Sequence, residues 1–469
     1  MSNKFERRYG LFTAICMVVG IVIGSGVFFK AQEILEKTGG NMPLGIVSWV
    51  IGGLVMLSCI LAFAAMAQKY EKVNGVVDYA EATLGKNYAY HIGWFLSTFY
   101  YPTLTMALAW LSARYTLVFI TSVNPEFPLI IPVAEGGCLI GPECMVLAML
   151  YMVLSFATNA LSPKLSGKLQ VSTTIIKLIP LGLMAVVGII YGIASGGLAH
   201  NFTTPASVHD VVDNPLLASV CSTAFAYEGW IIATSINAEL KDSKKNLPIA
   251  LISGCLIIIA VYVLYFVGVA GGASNQELID HGATVAFTNL FGNVFGNILN
   301  LFIAVSCYGT LNGLMLGCSR GAYSLAVRNE GPAAHIFKTI DEDTNMATNS
   351  SVFGLICCAV WFVYFYLSNL AGTWTGAFIF DPTELPILTM YALYIPIFIA
   401  WMVKAKDESF LRRFAVPAVA VVASAFMIYA TVRAHGVACL WYLIVFIIFM
   451  LLGTALKNPK KPNGHKHKK

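Results

Sequence analysis

The chain has 469 residues, of which 58% are apolar and 11% charged, with a net charge of +5. Soluble domains carry about 25% charged residues, so 29 basic and 24 acidic side chains are too few to coat a soluble fold of this size. The same apolar content excludes a disordered chain, and the mean hydropathy of +0.74 points to a bilayer. The basic residues lie in short loops and a tail without interleaved aromatics, which argues against a nucleic-acid surface.

Twelve apolar spans are predicted, over 11–36, 43–68, 90–121, 143–161, 168–195, 215–239, 248–272, 286–328, 350–371, 379–403, 413–434 and 436–456. Blocks of about 20 apolar residues cross a bilayer as helices. The eighth is too long for one crossing and reads as a tilted span continuing into a helix from about Ser319. The expected class is an all-α membrane protein of twelve transmembrane helices, a single integral domain over 1–469 with no room for a soluble one. The start, MSNKFERR, is polar and the first apolar run ends in no small-residue cleavage site, so insertion is expected to be internal and uncleaved.

Lys and Arg set the expected orientation. The N-terminus (Lys4, Arg7, Arg8), the even-to-odd connections and the tail hold 24 of the 29 basic residues, and the opposite side has only Lys30, Lys37 and Arg433. A cytoplasmic N-terminus over 1–10 and a basic cytoplasmic tail over 457–469 follow, in a multi-pass protein of the cell membrane. His465 and His467 read as part of the solvated tail, and neither a metal site nor a cofactor is expected.

In chain order, the first span is interrupted: Gly24-Ser25-Gly26 falls near mid-membrane, where poor helix propensity exposes backbone. Such a break is tolerated where it lines a cavity, although Gly20 and Gly24 also make a close-packing pair. Asp78 and Glu81 read as a cytoplasmic amphipathic or gate segment with exposed side chains. Arg114, near the outer end of span three, can snorkel. The connection 121–142 carries no basic residue and falls outside, so Cys138 and Cys144 either pair or stay free thiols. Lys177 lies a third of the way into span five and must pair, snorkel or lose its proton. Asn201-Phe202-Thr203 is an outer glycosylation sequon. In the sixth span Glu228-Gly229 sits mid-membrane, where a carboxylate costs about 2.5–3.5 kcal/mol and so faces protein or water. Asp381 and Glu384 border span ten as exposed outer residues.

Interrupted spans one and six are what two five-helix repeats of opposite topology would give, over 11–200 and 214–403, with 411–456 as two added helices. A half-helix N-terminus after each break offers N–H groups to a carboxylate. The half-helix ends before each break offer carbonyls to an ammonium. A free amino acid satisfies both. No Ser/His/Asp or His–Glu metal constellation is visible at membrane depth, so no enzyme is expected.

Roughly residues 8–456 resemble the amino acid–polyamine–organocation superfamily, and within it a prokaryotic-type member of the L-type amino acid transporter family. The resemblance rests on GIVIGSGVFF at 20–29, FAYEGW at 225–230 with Asn246-Leu247-Pro248, TLNGLMLGCSRGAYSLAVRNEGP at 310–332, and ELPILTMYALYIPIF at 384–398. It implies an inverted five-plus-five fold, alternating access and sodium-independent exchange of amino acids; neutral ones are favoured because Glu228 is the one clear acid near the site.

Carried over residue by residue, the Ser25 and Gly26 N–H groups would hold the substrate carboxylate, with Gly24 giving clearance. The carbonyls of Val22, Phe225, Ala226 and Glu228 would hold the ammonium, the Phe225 ring would gate the outer side, and Lys177 would couple the first helix to the transport cycle. Glu228 stands where several relatives have a small residue, so its side chain could favour cationic substrates or bind a proton. Eukaryotic members pair with a glycoprotein through an outer cysteine. No such heavy-chain partner is expected here, and a lipid-embedded monomer is.

Overall fold

A computed structural model describes residues 7–70, 74–129, 141–207, 214–371, 374 and 376–457. Eleven helices among them are long and apolar enough to cross a membrane, and one bent pair completes twelve. The bent pair is α1 (Leu11–Val22) and α2 (Gly26–Lys37), which meet at 42°. The others are α3 (Met42–Lys69), α4 (Lys86–Val123), α5 (Pro142–Leu161), α6 (Lys164–Ser195), the span Pro215–Thr234 that begins with α7 (Pro215–Ala226), α8 (Ser243–Gly272), α9 (Asn293–Ala326), α10 (Thr348–Leu370), α11 (Leu385–Lys404), α12 (Leu411–His435) and α13 (Ala438–Leu456). Among the described residues the only β pairing is a single bridge between Tyr9 and Leu240.

Two boundaries differ from the sequence expectation. The predicted eighth span begins as a separate helix, Ala283–Phe291, because Gly292 (φ +82°) turns the chain before α9 starts. From Asn293 a single 34-residue helix then runs past Ser319, as expected. The tenth span begins at Leu385 rather than 379, because the residues before it are turns ending on Glu384.

Both expected interruptions are present. α1 stops at Val22, where Ile23 leaves the helical region (ψ 93°), and α2 restarts at Gly26. α7 stops at Ala226, and Gly229 at φ +100° needs glycine before a 3-10 helix, Trp230–Glu239, resumes. The breaks lie against each other: a Cβ on Gly26 would sit 2.8 Å from the Ala226 Cα. Only a glycine permits that approach.

α6 reaches the first break because α9 yields space. A Cβ on Gly309 would lie 2.5 Å from the Thr173 hydroxyl and 3.4 Å from the Lys177 amine. A Cβ on Gly20 would similarly meet Thr174 and Gln170. Thr174 donates to the Cys16 carbonyl at 3.0 Å, tying α6 to α1.

Candidate functional site

The two breaks enclose a small cavity of about 20 Å³, room for little more than one water. Val22, Gly24, Ser25 and Gly26 line it from the first break, and Phe225, Glu228 and Gly229 from the second. Leu104 and Leu108 of α4 and Thr310 and Leu314 of α9 close the walls. Of the residues expected at the site, Ala226 lies behind this lining, against Gly26.

The backbone there is open to a ligand. Phe28 and Phe29 N–H groups return to the Ser25 carbonyl at 2.9 and 3.3 Å. Among the described residues, the N–H groups of Gly24, Ser25, Gly26 and Val27 have no backbone acceptor. They converge where the α2 dipole is positive, which suits a carboxylate. On the other side, the Val22 and Ala226 carbonyls share one donor, the Tyr262 hydroxyl, at 3.2 and 2.8 Å. Each carbonyl keeps a second lone pair. The Phe225 carbonyl accepts a long 3.4 Å bond from the Glu228 N–H.

Lys177 does not snorkel. It is fully buried and donates to the Gly20 carbonyl at 2.8 Å, Ile23 at 2.5 Å and Ser306 at 3.0 Å, with Thr310 Oγ1 at 3.2 Å. It thereby satisfies carbonyls that the end of α1 leaves without helical partners. Glu228 is buried and accepts from the Tyr100 hydroxyl, so its carboxyl faces protein, as its depth demands.

Phe225 lines a second and larger cavity as well, a vestibule of about 500 Å³. Its ring meets that of Phe29 at 5.9 Å between the two cavities. Lys30, Glu33, Arg114, Asp381 and Glu384 line the vestibule. The expectation of exposed side chains at Asp381 and Glu384 is therefore corrected. Glu384 pairs with Lys30 at 2.7 Å and with His435 at 3.0 Å, joining α2, α11 and α12. Burial opposes ionisation of Glu384, but Lys30 and His435 outweigh it and hold the carboxyl well below the usual range. Burial, reinforced by Glu384, raises Asp381. Arg114 stands over the Trp110 and Tyr115 rings at 5.8 and 5.5 Å.

The opposite, basic face is closed. Arg8 and Tyr9 N–H groups donate to the Glu239 carbonyl at 2.8 and 3.0 Å, and Lys241 N–H returns to Tyr9 at 2.9 Å. Arg320 pairs with the Glu239 carboxylate in full burial. Arg328 pairs with Asp78 and, at 3.1 Å, with Glu81, so Asp78 is a buried ion-pair partner and not an exposed residue.

One further expectation changes. Asn201 is buried and spends its amide on the Ala270 and Ala273 carbonyls at 2.7 and 2.8 Å, so the folded sequon presents no free acceptor. Cys144 is buried, and its expected partner Cys138 lies outside the described residues. Among the described residues no three His, Cys, Asp or Glu side chains converge as metal ligands.

Sequence reasoning missed Tyr262, Tyr100 and Ser306. Each sits in an apolar run where its type is ordinary, and no local pattern distinguishes it.

A profile described as amino acid permease matches residues 9–458. The chain is 29% identical over 336 residues to the serine/threonine exchanger SteT of Bacillus subtilis (strain 168), covering 71% of each protein. It is 27% identical over 331 residues to the Asc-type amino acid transporter 1 of Mus musculus, covering 70% of this chain and 60% of that one. It is also 27% identical over 320 residues to the large neutral amino acids transporter small subunit 2 of Homo sapiens, covering 67% of this chain and 57% of that one. With two interrupted helices enclosing a cavity and a profile match over nearly its whole length, the chain belongs to the amino acid permease family.

Proposed function

We propose that this chain is a sodium-independent exchanger of neutral L-amino acids working by alternating access. The observation that carries the reading is the row of N–H groups from Gly24 to Val27 without backbone acceptors, facing carbonyls of the second break across one small cavity. A zwitterion matches both sets. Gly24, Ser25 and Gly26 take its carboxylate. Val22, Phe225, Ala226 and Glu228 carbonyls take its ammonium, displacing or sharing the Tyr262 hydroxyl. Phe225 gates the vestibule side.

Lys177 supports independence from sodium. Its amine already occupies the carbonyls of Gly20 and Ile23, a set a small cation would otherwise need. In this reading Lys177 couples the bend of the first helix to the transport cycle, residues 11–200 and 214–403 are inverted repeats, and both termini are cytoplasmic in the cell membrane. The chain acts as a monomer without a heavy-chain partner.

The test is uptake of labelled serine, alanine and leucine into proteoliposomes. Uptake into vesicles loaded with unlabelled amino acid, little into empty ones, and no change when sodium is replaced by choline are expected. Equal uptake into empty and loaded vesicles would overturn exchange. A second reading, proton-coupled uptake, is favoured by the burial of Glu228 against Tyr100 at the cavity. Acid-stimulated uptake lost in Glu228→Gln would select it.

A further inference from the structure

On the basic face a third cavity, about 520 Å³, opens between the start of the first helix and α6. Arg8, Lys164 and Lys168 line it, with Phe12, Val171 and Ser172, and among the described residues no carboxylate does. Lys164 and Lys168 are exposed, and neither has a hydrogen-bond or ion-pair partner among the described residues. The two elements lie close because Gly167 is bare: a Cβ there would sit 2.9 Å from the Tyr9 ring.

The cavity continues into an apolar track. Phe12 is 64% exposed, and farther along α6 Ile175 and Ile179 are 53% and 52% exposed. Lys164, Lys168, Ser172, Ile175 and Ile179 recur at helical spacing, so they share one face of α6. From Lys168 to Ile179, at 1.5 Å per residue, the face runs about 16 Å. Half of a hydrocarbon core about 30 Å thick is the depth of one leaflet.

We infer that this cavity holds an anionic phospholipid, its phosphate between Arg8, Lys164 and Lys168 and one acyl chain along Ser172, Ile175 and Ile179. Cations at the end of a lipid-facing apolar stripe complement a negative headgroup joined to a chain, which no dissolved anion supplies. The occupant would straddle the first helix and α6, and would bind whether or not the protein exchanges amino acids.

The test uses the full chain in phosphatidylcholine vesicles containing a minor fraction of phosphatidylglycerol with a photoreactive acyl chain. Labelling is mapped by peptide and normalised to the whole protein. Preferential labelling of the peptide around Ile175 and Ile179 is expected, with little from the same probe on phosphatidylcholine. At about 1 kcal/mol per surface cation, Lys168→Gln should reduce it roughly fivefold and Lys164→Gln with Lys168→Gln roughly thirtyfold. Lys164→Arg with Lys168→Arg should retain it. Wild-type labelling in the double Gln variant, or equal labelling by both lipids, overturns the proposal. Loss of labelling to inorganic phosphate at constant ionic strength also overturns it, since that result identifies a simple anion site.

Discussion

The side-chain nitrogen of Lys177 lies 2.5 Å from the Ile23 carbonyl oxygen, the last carbonyl before the first helix bends. It also holds Gly20, a turn earlier, so one side chain grips the two carbonyls that close α1 ahead of the bend. Replacing it removes several buried hydrogen bonds at once. Each carbonyl left unpaired costs about 1–3 kcal/mol.

Lys177→Met keeps the side-chain length and removes the donor. Exchange is expected to fall at least tenfold, with a lower melting temperature and an unchanged helical circular dichroism spectrum. Exchange at the wild-type rate would remove Lys177 from the proposed mechanism.

Tyr262→Phe deletes the one hydroxyl that both breaks share. On the proposed reading it frees two carbonyls for the substrate ammonium and loosens their alignment. A buried hydrogen bond contributes about 1 kcal/mol net, so half-saturation for serine should shift about fivefold. Titration of exchange against external serine checks this.

Phe225→Ala joins the vestibule to the inner cavity by removing the ring against Phe29. Efflux of preloaded amino acid without external substrate should rise from near zero to a measurable leak, while Phe225→Tyr stays tight. Equal leak rates in the alanine variant and the wild type would show that the ring does not gate.

Glu384→Gln tests the vestibule network by pH. The folded carboxyl titrates below its unfolded value, which is about 4.3 for a glutamate. A depressed group stabilises above its unfolded pKa and loses that contribution as pH falls through the folded one. The variant should melt below wild type at pH 7, with the gap closing as pH drops below about 4. A gap constant from pH 7 to pH 3.5 would assign the effect to packing alone.

The helices were legible because a bilayer imposes length and apolarity on each one, and the breaks because Gly24-Ser25-Gly26 and Glu228-Gly229 violate those rules. The pairing of charges was not. Asp78 and Glu384 each look like loop carboxylates, and their partners lie far along the chain, at Arg328 for Asp78 and at Lys30 and His435 for Glu384. Asn201 matched a local motif, but its amide is spent on carbonyls about 70 residues away.

Sequence by itself determined that this is an all-helical membrane protein with two interrupted spans and a lysine at membrane depth. Those properties follow from the local cost of charge and bare backbone in hydrocarbon. Only the tertiary structure decided that Lys177 turns inward to Gly20 and Ile23, that Tyr262 joins the two breaks, and that Phe225 stands between two cavities. Those contacts depend on close approaches at Gly26 and Gly309, set by helices distant in sequence.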